Sequence, residues 1–148
     1  MRKALGVMVA WILLSVGPVW AATMGSIGKG RVNVRSKPDL CSAVLFHASM
    51  GYPIQINKQK NDWVYIIDWK HHTGWIKKSM VSKTRTAVVL ADNTAIRKGP
   101  GPKKPVIKQA SKGDIFKIFG EKGRWVEIGY YLENEVVGWV PRGLVWGD

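Results

Sequence analysis

The chain has almost no cysteine. Cys41 is the single one in 148 residues, so no internal disulfide can form, although small exported domains are often stapled that way. Acidic residues are scarce too: ten Asp and Glu stand against 23 Lys and Arg, for a formal net charge of +13. No apolar run beyond the first residues approaches the ~20 residues that a spanning helix needs. No window sustains helical periodicity, which argues against a helix bundle.

The same scarcity limits chemistry. A thiol nucleophile needs a base and an orienting group, yet Cys41 sits in a predicted loop with His47 across a short strand and no helix N-terminus to activate it. His71 and His72 are adjacent, and neighbours in an extended segment point to opposite faces. With His47 as the other imidazole, no metal site is expected. Glu133 and Glu135 read as solvated acids on a loop. Neither a catalytic residue nor a cofactor is expected.

What is present begins with an export signal. Arg2 and Lys3 precede an apolar run from Ala4 to Val16, Gly17 and Pro18 break it, and Val19-Trp20-Ala21 suits a cleavage point. Cleavage after Ala21 would leave a mature chain with no membrane-spanning helix. Cys41 is too distant for a lipidation cysteine. A short polar lead-in, residues 22–30, is expected to be flexible.

The rest of the chain is written twice. Residues 34–66 overlay residues 96–128 at a constant offset of 62, matching Arg35 with Arg97, Pro38 with Pro100, Gly51 with Gly113 and Trp63-Val64 with Trp125-Val126. Two extra residues then enter the second copy, and Gly74-Trp75 falls over Gly138-Trp139. The period is long for a solenoid repeat and suits a small module. Short alternating strands with Gly and Pro turns fill both copies, Arg31-Val-Asn-Val-Arg35 among them, which predicts all-β modules. The first module is expected over residues 31–83 and the second over 94–148. Residues 84–93 form a connector whose apolar Ala87-Val-Val-Leu-Ala91 should pack as a strand. Val64, Ile66, Ile76, Val126, Ile128 and Val140 are the expected core, with Trp63, Tyr65, Trp75, Trp125 and Trp139 on the opposite, partly exposed face.

Val34-Arg35-Ser36-Lys37-Pro38 and Ile96-Arg97-Lys98-Gly99-Pro100, followed in each copy by the Gly, the Trp-Val strand and the closing Gly-Trp, resemble bacterial SH3 domains. The resemblance implies two tandem SH3-like small β-barrels of five to six strands each, exported to the cell envelope, of a kind often attached to wall enzymes as a targeting module. The second copy departs from the pattern with its Pro100, Pro102 and Pro105 loop and a long acidic tip at Tyr130 to Glu135.

Aromatic rings beside cations make platforms for sugars, peptides and carboxylates. The candidate ligand-binding residues are Trp63, Tyr65, Trp69 and Trp75 in the first copy, and Trp125, Tyr131 and Trp139 in the second. The competing reading is that these rings cover small cores or lie between the modules. Arg35 and Arg97 are expected to anchor loops by bonding carbonyls. The mature charge is uneven, with eleven basic against three acidic residues in 22–86 and ten against seven in 87–148. A positive field bears on partners, not on fold. Beyond the cytoplasm, nucleic acid is not the expected partner. The sequence therefore points to a non-catalytic envelope module recognising peptidoglycan or its stem peptides, with an adaptor for another envelope protein as the alternative.

Overall fold

The computed structural model describes residues 21–148. The signal expected over residues 1–21 lies, apart from Ala21, outside the described residues. Seven strands form the first sheet: β1 (Thr23–Ile27), β2 (Arg31–Arg35), β3 (Val44–Ser49), β4 (Pro53–Lys60), β5 (Trp63–Ile67), β6 (Thr73–Lys77) and β7 (Val81–Ser82). Seven more form the second: β8 (Thr86–Val89), β9 (Thr94–Arg97), β10 (Val106–Ala110), β11 (Ile115–Lys122), β12 (Trp125–Tyr130), β13 (Glu135–Pro141) and β14 (Val145–Trp146). The strand order is β3-β2-β6-β5-β4-β1-β7 in one and β10-β9-β13-β12-β11-β8-β14 in the other. Adding seven to each label of the first gives the second, so the repeat holds in topology as well as in sequence. Among the described residues, no helix is long and apolar enough to cross a membrane.

Each sheet folds around its own apolar cluster. Ile27, Val32, Val34, Ile54, Val64, Ile66 and Ile76 fill the first, and Val89, Ile96, Val126, Ile128 and Val140 are among those filling the second. The six residues expected as core are all buried.

Three expectations need correction. The lead-in is no tether: β1 pairs with β4 and β7 and buries Ser26 and Ile27. Its counterpart is β8, which pairs with β11 and β14. The carbonyls of Ile27 and Val89 accept hydrogen bonds from the amides of Gly51 and Gly113. What read as a lead-in and a connector are thus the same strand of the two modules, and each sheet has seven strands instead of five or six. The second correction concerns Trp63, which is only 7% exposed. The third concerns Tyr131, whose ring covers Gly51 of the first module.

Glycine is required where the sequence repeats it. Gly51 and Gly113 turn with φ of +82° and +94°, a region costly for residues with a Cβ. At Gly74 a Cβ would stand 2.9 Å from the Arg35 carbonyl oxygen, and at Gly138 2.6 Å from that of Arg97. These glycines let β6 and β13 close against β2 and β9, which sets each Gly-Trp tryptophan beside an arginine.

Candidate functional site

The outer face of the first sheet carries two cross-strand rows. In one, Arg35 of β2 lies opposite Trp75 of β6, Trp75 opposite Tyr65 of β5, and Tyr65 opposite Lys58 of β4. In the other, Lys77 lies opposite Trp63, and Trp63 opposite Lys60. Tyr65 and Trp75 meet edge to face at 5.2 Å between ring centroids, a favoured aromatic geometry. Lys58 holds its ammonium 4.5 Å from the Tyr65 centroid and 5.5 Å from that of Trp75. Lys77 stands 4.8 Å over Trp63. These distances fall within cation–π range.

A bulge brings Lys58 to this face. Strict alternation from Ile54 and Ile56, which point inward, would place Lys58 inward as well. The β4–β5 register shifts between Ile56 and Lys58, and such an extra residue reverses the side-chain phase beyond it. Lys58 and Lys60 therefore turn outward.

Beside the rows is a hollow of 200 Å³ lined by Arg31, Val32, Asn33, Arg35, Leu40, Trp63, Lys77 and Met80. Trp63 is a buried residue of its floor. Leu40, 67% exposed, rises from the 36–43 loop, and Met80 comes from a 3-10 turn (Lys78–Met80). The loop is tied down by its own bonds. Asp39 accepts the amides of Cys41 and Ser42 at its Oδ1, and Arg35 Nη1 donates to the Ser42 carbonyl at 2.8 Å. Arg97 Nη1 likewise donates to the Lys104 carbonyl at 2.8 Å. Both arginines are loop anchors, as expected.

The second module has a hollow in the same place. Its 380 Å³ are lined by Asn93, Thr94, Ala95, Arg97, Pro102, Trp125, Pro141 and Leu144, with Ala91 and Asp92 at one end. The first eight of these are the repeat counterparts, one for one, of the eight lining residues in the first. Its rows run Arg97–Trp139–Glu127–Gly120 and Pro141–Trp125–Lys122. Both tryptophans and the arginine are kept, while Tyr65, Lys58 and Lys77 give way to Glu127, Gly120 and Pro141.

The structure thus brings together Trp63, Tyr65 and Trp75 on one face, and Trp125 and Trp139 on the other. Trp69 lies apart, in the turn between β5 and β6, with Lys70 4.9 Å over its ring. Tyr131 packs between the modules. The site residues that sequence reasoning missed are Arg31, Leu40, Lys58 and Met80. A signal for two of them was available, since Leu40 overlays Pro102 and Met80 overlays Leu144.

The β5–β6 turn is organised by Asp68, whose side chain is fully buried. Its carboxylate accepts the Tyr52 hydroxyl at 2.8 Å and the amides of Lys70 and His72 at 2.9 and 2.8 Å. Burial, the Asp68 hydrogen bond and the Asp68 charge together raise the Tyr52 hydroxyl well above its ordinary pKa of 10.0. His72 Nδ1 also meets Asp68 Oδ2 at 3.2 Å, which gives that histidine a structural partner. Cys41 is exposed.

Both halves of the chain resemble known proteins. Two family models, each described as a bacterial SH3 domain, match residues 28–83 and 92–145. A putative N-acetylmuramoyl-L-alanine amidase of Bacillus subtilis, YrvJ, is 24% identical over 141 residues, covering 84% of this chain and 27% of that protein. A probable cell wall amidase of Staphylococcus aureus, LytH, is 38% identical over 53 residues, covering 36% of this chain and 18% of its own length. The chain thus spans about a quarter or less of these curated relatives. Among solved structures, NlpC2 from Trichomonas vaginalis aligns with a TM-score of 0.39 and 15% identity, over 86% of this chain and 49% of that one.

Proposed function

The chain belongs to the bacterial SH3 domain family in both of its halves, and on that premise we propose that it is a non-catalytic, exported protein of the cell envelope whose two aromatic faces dock on peptidoglycan or its stem peptides. The observation that carries this reading is the coincidence of the two hollows. Eight lining positions correspond across the repeat, around Trp63 in one module and Trp125 in the other. Two small modules can keep their cores equivalent for packing alone. An equivalent surface hollow with a tryptophan in its floor is better explained by binding to a shared polymer.

Three further facts support it. Two relatives are named as amidases, one of them of the cell wall, and what this chain shares with them is its SH3 stretch. The excess of basic over acidic residues in both modules favours association with the anionic polymers of an envelope. Arg35 and Arg97, Trp75 and Trp139 stand in matching cross-strand pairs beside the hollows.

The test is retention of the purified chain on isolated cell wall at two salt concentrations. Retention that weakens as salt rises is the expected result, because surface charges are screened. A chain that stays in the supernatant at low salt contradicts the reading. Incubation with labelled wall should release no fragments, and release would contradict the non-catalytic assignment.

A further inference from the structure

The two faces share their tryptophans and differ in charge. Resting on the wall-binding reading, we propose that the first module's face binds carboxylates of a wall stem peptide, whereas the second module's face takes an uncharged part of the same polymer. Around the first hollow stand Arg31, Arg35 and Lys77 with no acid in the lining, and Lys58 and Lys60 extend the two rows. The loop acid, Asp39, is occupied with the amides of Cys41 and Ser42. Arg35 spends one arm on its loop. The donors that remain are Arg31 and the lysines, and of these Lys58 and Lys77 each stand over an aromatic ring.

Cations separated by rings suit a peptide that carries isolated carboxylates between apolar groups. A carboxylate accepts charge-assisted hydrogen bonds from such donors, while the rings cover the flanking peptide. The second face suits the same ligand less, although its rows keep Arg97 and Lys122. Glu127 stands directly opposite Trp139 where the first face has Tyr65. Asp92, whose Oδ1 accepts the Lys112 amide, joins the lining, and Pro102, Pro141 and Leu144 replace Leu40, Lys77 and Met80 around the tryptophan.

The experiment titrates the full exported chain, labelled with 15N, with a synthetic stem tetrapeptide in two forms: free acid, and with every carboxyl amidated. The free acid should shift the Trp63 indole and the Tyr65, Trp75 and Lys77 amides, and leave Trp125 and Trp139 unmoved. Amidation, or the double substitution Lys58→Gln with Lys77→Gln, should weaken binding at least tenfold. Conversely, Gly120→Lys with Glu127→Tyr should confer free-acid binding on the second face. Equal binding of the amidated peptide, shifts that begin at the second face, or no peptide binding at all would overturn the proposal.

Co-sedimentation with wall, before and after removal of its phosphodiester polymers, separates the two levels of the argument. Failure of the unsubstituted chain to pellet removes the wall-binding reading itself. Pelleting that is unaffected by the lysine substitutions removes only the charge assignment, and pelleting lost with the phosphodiesters overturns the choice of carboxylate.

Discussion

The hydroxyl of Thr86 donates a 2.7 Å hydrogen bond to the carbonyl of Gly51, in a buried position. It joins the first strand of the second module to the β3–β4 turn of the first. The Tyr131 ring lies over the same glycine, within 3.5 Å of where a Cβ would stand. Ser26 adds a 2.6 Å bond to the Thr84 carbonyl. The two sheets are thereby held together at the connector, which is why Tyr131, though aromatic and on a loop, is spent on packing.

Thr86→Val keeps the shape and leaves the Gly51 carbonyl unsatisfied. An orphaned buried acceptor costs about 1–3 kcal/mol. Calorimetry should show a lower Tm and a single unfolding transition separating towards two. An unchanged thermogram would show that the modules do not rely on this bond.

Gly74→Ala and Gly138→Ala each force a methyl against a neighbouring strand's carbonyl, at 2.9 and 2.6 Å. Overpacking of this kind costs about 1–3 kcal/mol. Denaturant titration should register the loss for each variant. Equal stability to wild type would mean that β2 and β9 can retreat without penalty.

Tyr52 links stability to pH. Its hydroxyl is held neutral by burial and by Asp68, so its pKa lies above the ordinary 10.0. Above pH 10 the unfolded tyrosine releases its proton while the folded one keeps it. The folded state then binds more protons, and stability falls as pH rises. Below that value the contribution is complete. Thermal midpoints of wild type should therefore drop faster above pH 10 than those of Tyr52→Phe. Parallel curves would contradict this account.

The repeat makes much of the fold legible in the sequence alone. The offset of 62 gave two modules, alternation at Val32 and Val34 gave an inward face, and the paired glycines gave both turns. Other parts depended on information that periodicity does not carry. The segment Thr23–Ile27, Thr-Met-Gly-Ser-Ile, reads as a tether because its worth lies in backbone pairing with β4 and β7. Alternation assigned Trp63 to the outer face correctly and could not foresee its burial among residues from a loop and a 3-10 turn. It carries no sign that Lys58 faces outward, because one bulge reverses the phase of β4. The cation nearest the Tyr65–Trp75 pair was hidden for that single reason.

The central claim is that the tryptophan faces of both modules hold the envelope polymer. Two modules acting on one polymer multiply each other's binding when both can reach it. The most direct measurement is wall co-sedimentation of Trp75→Ala, Trp139→Ala and the double variant, with folding verified by circular dichroism. Each single change should weaken retention and the double change should abolish it. A folded double variant that pellets with wall as the wild type does would contradict the account.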